Sequence, residues 1–428
     1  MRWRRLLKIR RVIFGVVVVC VFGTAVFGQP WSGSGTAEDP YQIWDANDMQ
    51  AIGADVNYWD KHFRLMDDID LSDYNGVGSN PTFNIIGNIT TKFTGVFNGN
   101  GYKISNFKYN STGVNRIGIF GFVLSENARI QKLTLILPNV NAGTGSNVGA
   151  LAGMFYYGQI SECCIEGGTI SSSGGYIGAL VGRTALATIV NCGAFCNVSG
   201  ENNVGGLIGN AGVSTIDTCY SNGTVSCPND RVGGLVGTSS SKISNCYSHA
   251  DVQGIEDVGG LVGSFMSTIV NCYSTGIVSG SGGTTGGLAG ENYDARGTIT
   301  NSFWDVNSSG QTTSNGGTGK TTAEMQTRST FTDAGWDFVG EVVNGPNDIW
   351  RMCVDGVNYP MFVWQFPSGD FECPDGVTLI DFSVFGEAWL SEPNYPNWDP
   401  NCDISEPNDN IIDEQDLSVF VENWLMGI

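Results

Sequence analysis

The chain repeats itself, and the period limits what it can be. Segments of the VGGLVG kind begin at Ile117, Val148, Ile177, Val204, Val232, Val258 and Thr285, in steps of 31, 29, 27, 28, 26 and 27 residues. A second box follows each of the later ones: ISECC, IVNCG, IDTCY, ISNCY, IVNCY and ITNSF. A third short run follows that, as in CNVSG or GIVSG. Each repeat is thus three short β-type runs separated by turn residues. Periods of 20–50 residues belong to solenoids, propellers or arrays, and a propeller blade needs roughly 40. Helical repeats would show a 3.6-residue periodicity. Three strands in roughly 28 residues fit one coil of a parallel β-helix, stacked about 4.8 Å from the next. The expected fold is all-β, a right-handed parallel β-helix. Isoleucine and cysteine of the second box, with leucine of the first, should fill its interior. The glycines should sit at corners, where positive φ or close backbone approach is needed.

Glycine is 60 of 428 residues without an every-third-residue period, so collagen is excluded. With its three boxes recurring in order, Ile117 to Phe303 resembles the GLUG-motif proteins. These occur among bacterial surface and secreted proteins, including adhesins and IgA-peptidase-like proteins. The resemblance implies a right-handed, pectin-lyase-like solenoid and no particular catalytic activity.

The ends differ from the repeats. Residues 1–28 combine a basic stretch, MRWRRLLKIRR, with an apolar run, as a secretory signal peptide does. An uncleaved membrane anchor and a lipoprotein built on Cys20 are the alternatives. Removing the six positive charges of the leader takes the net charge from −21 to −27. Such a chain repels nucleic acid, anionic lipid and polyuronic acid. Residues 29–110 are assigned to an N-terminal cap and first coils. Asp45 is an N-cap for a short helix from about Ala46 to Ala54 that would cover the open end of the solenoid. Residues 111–305 form the repeat region, and the aromatic-rich 306–366 its closing segment.

In the last sixty residues, Asp-x-Ser-Val-Phe-x-Glu-x-Trp-Leu occurs at Asp381–Leu390 and again at Asp416–Leu425. Phe382, Phe385 and Trp389 are spaced for one helix face, as are Leu417, Phe420 and Trp424. An acidic loop precedes each helix, the arrangement of calcium-loop–helix units. In the second loop the candidate ligands are Asp403, Ser405, Asp409, the Ile411 carbonyl, Asp413 and Asp416, with Asn410 at the tight turn. Asp403 lies two residues early for a 12-residue loop, which an insertion near Glu406–Pro407 absorbs. In the first loop Asp370 and Asp381 have the right spacing, but Pro374 occupies a ligand position. One Ca²⁺ is expected in the second loop, and a second in the first is in doubt. Residues 367–428 resemble a dockerin of planctomycete type. That resemblance implies calcium-dependent folding and docking to a cohesin-like partner through helix faces carrying Phe385, Trp389, Phe420 and Trp424. Cys373 and Cys402 flank the two halves and are disulfide candidates.

Other motifs give way to plainer readings. SNGGTGKTT (Ser314–Thr322) imitates a phosphate-binding loop but lacks its first glycine and its strand–helix context, leaving a flexible Gly/Thr loop. With only His62 and His249, a catalytic triad or His-rich zinc site is disfavoured. Cys163, Cys192, Cys219, Cys246 and Cys272 recur with the repeat. Disulfides between coils are within reach, but stacked side chains share one orientation, which favours buried thiols. Asp67, Asp68 and Asp70 read as turn-bonded aspartates or as a cation or sugar site. The favoured function is a secreted binding or adhesion protein, its β-helix open to a glycan or a protein. The rival is a polysaccharide hydrolase or lyase tethered by the tail. That enzyme needs two converging carboxylates, and Glu162, Asp217 and Asp251 fall at different places in their coils.

Overall fold

In the computed structural model, which describes residues 31–340, 343–371, 373, 376–399, 402–405 and 410–424, the repeat becomes a stack of coils. The coils contribute strands to three parallel sheets. One sheet has seven rungs, from Phe120–Leu124 to Ala289–Asn292. A second has five strands, from Gly175–Gly178 to Thr285–Gly286, and the third has 23. Pairing joins equivalent positions of successive coils: Ile189, Ile216, Ile243, Ile269 and Ile299 form one column. The interior is therefore a set of ladders, each of nearly one residue type. The chain is an all-β parallel solenoid with a few short helices.

The cysteine column behaves as a ladder of small hydrophobes. Cys163, Cys192, Cys219, Cys246 and Cys272 are free and fully buried. Each thiol donates weakly to backbone, as Cys246 Sγ does to the Ser244 carbonyl at 3.0 Å. Burial pushes the Cys163 and Cys246 thiols well up, which keeps them protonated.

The glycines do only half of what the sequence predicts. Gly259 and Gly260 permit close approach: a Cβ would meet the Val262 carbonyl oxygen at 2.0 Å and the Gly287 carbonyl oxygen at 2.1 Å respectively. Positive φ falls outside these boxes, on other glycines such as Gly158 and Gly223 and, at two recurring corners, on non-glycine residues. Asn191, Asn245, Asn271 and Asn301, one before each cysteine or its serine equivalent, have φ of 48–53°. Tyr176, Asn203, Arg231 and Asp257, one before each Val-Gly or Ile-Gly pair, do the same on another edge. Asparagine tolerates that region best among residues with a side chain.

At the N-terminal end the helix forms at Ala46–Ala54, with the Asp45 side chain accepting from the Asn47 and Asp48 amides. Met49 and Ile52 are buried in the solenoid core. Strands Tyr41–Ile43, His62–Leu65 and Val96–Asn98 pair in sequence and lead to Arg129–Ile136, as early coils should.

The closing segment does more than seal an end. Tyr220, Tyr247, Tyr273 and Phe303 stack in the column beside the cysteines, pointing to the opposite face. Phe331, Trp336, Phe338, Trp350 and Phe362 lie over them and make a second, aromatic core on the flank of the solenoid. Nor is Ser314–Thr322 a flexible loop. Thr318–Lys320 pairs with Phe303–Asp305 as a further rung, and Thr321 caps the helix Thr322–Met325. Asp305, fully buried, ties these parts together by accepting from Thr322 Oγ1 at 3.0 Å and from Tyr359 Oη at 2.7 Å.

The candidate Cys373–Cys402 disulfide does not form. Cys373 bonds to Cys353 of the closing segment, and Cys402 is a buried free thiol. Cys353 is brought alongside by Arg351, whose Nη2 donates to the Phe371 carbonyl at 2.6 Å. The tail then builds helices Leu379–Ala388 and Glu414–Glu422 on a small core of its own.

Candidate functional site

The tail loops are assembled by two near-equivalent sets of bonds. Asp381 is fully buried; its Oδ1 accepts from the Phe371 amide at 2.6 Å and its Oδ2 from the Thr378 amide at 2.8 Å. Asp416, equally buried, accepts from the Ile404 amide at 2.7 Å and the Ser405 amide at 2.8 Å on Oδ1, and from the Asp413 amide at 2.9 Å on Oδ2. Each aspartate closes a capping box, with Thr378 or Asp413 as the N-cap. Loop closure and helix initiation therefore both rest on Asp381 and Asp416.

The second loop nonetheless has features of an oxygen-ligand cage. Asp403 and Ser405 are buried, and among the described residues Ser405 Oγ has no hydrogen-bond partner. Asn410 has φ of 64°, as expected for the tight turn, and its amide donates to Asp403 Oδ2 at 2.9 Å. Asp413 Oδ1 accepts from the Gln415 amide at 2.8 Å. Asp409 and Pro374 lie outside the described residues. Among the described residues, no three His, Cys, Asp or Glu side chains are grouped to hold a metal. A cation here would depend on serine and carbonyl oxygen as much as on carboxylates. In the first loop Asp370 is also buried.

The aromatic residues assigned to a partner face turn inward. Phe385 and Phe420 are buried and stack at 5.3 Å, forming the tail core, with Trp389 and Trp424 half-buried against it. Other apolar residues are left outside, grouped at the start of the first helix, where Leu379 is 74% exposed, Ile380 59% and Phe382 46%, and scattered at Leu390, Tyr395, Ile411 and Val421.

On the solenoid the structure joins two carboxylates that the sequence kept apart. Glu291 and Asp257 meet across neighbouring coils. The Glu291 carboxyl is raised above its usual range by burial first and by Asp257 second. Ser264 Oγ donates to Glu291 at 3.2 Å, Thr284 Oγ1 to Asp257 at 2.7 Å, and Arg231 lies 3.9 Å from Asp257. A glycosidase needs its carboxyls held about 5–10 Å apart around substrate or water. Here Asp257 opposes ionisation of Glu291 as a like charge does, and the Ser264 and Thr284 hydroxyls hold the two carboxylates across neighbouring coils. Register was the missing signal: Asp257 precedes a Val-Gly pair, whereas Glu291 follows Ala-Gly.

The remaining candidates resolve locally. Asp68 accepts from the Lys103 amide at 2.8 Å. Asp70 accepts from Asn106 Nδ2 and the Ser72 amide, each at 2.9 Å, and those bonds hold its carboxyl below the usual range. His249 is half-buried against Tyr247 and Tyr273, and this desolvation pushes its pKa down to about 4. Among the described residues, no helix is long and apolar enough to cross a membrane.

No protein-family model matches the chain. A provisionally named Gly-rich membrane protein of Evansella cellulosilytica is 34% identical over 416 residues, covering 77% of this chain and 48% of that protein. Halomucin of Haloquadratum walsbyi is 34% identical over 185 residues, covering 40% of this chain and 2% of its own length. The chain thus spans about half of the first relative and a small part of the second. Among solved structures, a provisionally assigned immunoglobulin A1 protease from Bacteroides ovatus matches over 78% of this chain and 94% of that one, with 19% identity and a TM-score of 0.48.

Proposed function

We propose that the chain is a secreted binding scaffold: the solenoid presents an interaction surface, and a dockerin-like tail docks it to a cohesin-like or cell-surface partner. One observation carries this reading. The tail closes on its own core yet leaves Leu379, Ile380 and Phe382 outside at the start of its first helix. Exposed apolar side chains grouped on a small, separately packed module fit an interaction face. The basic and apolar leader supports export, and the right-handed crossover preference of parallel strands supports a right-handed coil. Labelled full-length chain, used to probe blotted surface proteins of the producing cells, should mark a discrete band. Leu379→Asp with Ile380→Asp should abolish it. A band of equal strength with the variant would sink the docking reading.

The second loop is proposed to hold one Ca²⁺ through Asp403, Ser405, Asp409, the Ile411 carbonyl, Asp413 and Asp416. The buried Ser405 oxygen, without a hydrogen-bond partner among the described residues, supports this. The bound ion would supply positive charge to a loop crowded with carboxylates and so stabilise the tail. Chelation should lower the melting temperature of the tail, followed through Trp389, Trp398 and Trp424 fluorescence. Identical curves with calcium and with chelator would remove the ion from the account.

A further inference from the structure

A trough runs along the outer face of the solenoid, beside the open edge of the closing segment. Its floor is the side of the strands opposite the isoleucine column. Thr188, Thr215 and Lys242 precede those isoleucines; Asp217, Ser244 and Val270 follow them. Asn347 and Ile349 of the closing segment form one wall of a cleft of about 570 Å³. A second cleft of about 370 Å³ shares Thr188, Thr215 and Lys242 with it, and a third of about 470 Å³ shares Gln159 and Thr188. Together they follow the coils from Arg129 to Val270, five steps of about 4.8 Å, or roughly 24 Å.

The chemistry of the floor selects among ligands. Backbone amides and carbonyls of these strands are already used in pairing between coils, so the trough offers no edge to which a peptide strand could add. Its polar groups are side chains, repeated once per coil. Asp217 is held by Ser244 Oγ at 2.6 Å and Asn245 Nδ2 at 3.0 Å. Asn271 donates to Asn245 Oδ1 at 3.3 Å. The Ser, Thr, Asn and Asp side chains of the floor suit hydroxyl groups, which both donate and accept. Val190, Val270 and Ile349 add flat apolar patches between the polar groups. Lys242 and, at the far end, Arg129 are the trough's basic residues, set against Glu126 and Asp217, and Arg183 and Arg231 are the only other Lys or Arg between Val148 and Gly290. An acidic polymer would find little counter-charge.

We infer that this trough binds an uncharged, hydroxyl-rich chain, a neutral oligosaccharide lying along the solenoid axis. The inference rests on the reading of the solenoid as a binding surface and is independent of the tail. Full-length protein is to be run in native gels containing xyloglucan, galactomannan or hydroxyethylcellulose, with polygalacturonate as the acidic counterpart. At least one neutral gel should retard it, and the polygalacturonate gel should not. Thr188→Trp with Thr215→Trp, both at exposed positions, fills the trough without touching the core and should restore free mobility. Asn271→Ala should weaken retardation several-fold. Free mobility in every neutral gel, retardation by polygalacturonate alone, or retardation unchanged in the double tryptophan variant would overturn the inference. The Leu379/Ile380 variant should be retarded like the parent, so that loss of docking and loss of glycan binding are told apart.

Discussion

Two hydrophobic cores share one sheet, and adjacent residues serve them. Cys246 points into the solenoid; Tyr247 points out, beneath the closing segment. The inner core is periodic. Each coil supplies the same isoleucine, cysteine and leucine, and the partner of each residue is its own copy one coil away. The outer core is half periodic: tyrosines of successive coils stack at 5.4 and 5.1 Å, but their cover is Trp336, Trp350, Phe362 and Trp364 from a segment that repeats nothing. The first core is legible from the period alone. The second depends on a fold-back that the period does not encode.

The comparison is broken most severely from inside. Gly260→Val would place a side chain against the Gly287 carbonyl oxygen and near Ser274 Oγ, with backbone on one side that cannot yield. The cost should exceed about 4 kcal/mol, in the range reserved for core overpacking and strain. Chemical denaturation of the variant should show an earlier midpoint or no folded baseline, and a parental midpoint would refute the close-packing role. Breaking the outer core should be milder and local. Trp350 lies 4.6 Å from both Trp336 and Phe362, so Trp350→Ala should cost about 3–5 kcal/mol. Limited proteolysis should then cut within 306–366 while the coils stay resistant. Simultaneous loss of both would mean that the two cores fold as one unit.

What the sequence could and could not convey follows from the same contrast. Columns of Ile, Cys and Val, the N-cap at Asp45 and the two tail helices all follow from local chemistry or strict periodicity. The corner residues were half legible: glycine marked the coils, but at two recurring corners asparagine and its substitutes carry the positive φ, because the glycines of these boxes are consumed by backbone contact. Cys373 was matched to the wrong partner because spacing along the tail says nothing about Cys353 in the segment before it. Phe385 and Phe420 were assigned to a partner face because one stripe of aromatic residues looks the same whether it covers a core or a ligand. Only the exposure of Leu379, Ile380 and Phe382 separates the two. The meeting of Asp257 with Glu291 and the trough beside Asn347 both required register across coils.

The finest probe of the boundary between the cores is His249. Its ring packs against Tyr247, Tyr273 and Tyr359; Nδ1 bonds to Thr275 Oγ1 and Nε2 lies 3.2 Å from Tyr273 Oη. The nearest carboxylate in this network is Asp305, one hydrogen bond beyond, through Tyr359. Desolvation holds the folded-state pKa at about 4, against an ordinary value of 6.5. Above pH 6.5 both folded and unfolded chains carry a neutral imidazole, and the full stability is present. Between pH 6.5 and 4 the unfolded chain takes up a proton that the folded one refuses. Stability should therefore fall by about 1.4 kcal/mol per pH unit, amounting to about 1.4 kcal/mol at pH 5.5. The loss belongs to the outer core, so tryptophan emission from Trp336 and Trp350 should red-shift in denaturant earlier at pH 5.5 than at pH 7, ahead of the far-ultraviolet signal of the coils. His249→Gln, which cannot charge, should remove the difference. A parental chain equally stable at both pH values would show that the imidazole is hydrated and that the closing segment does not seal this part of the sheet.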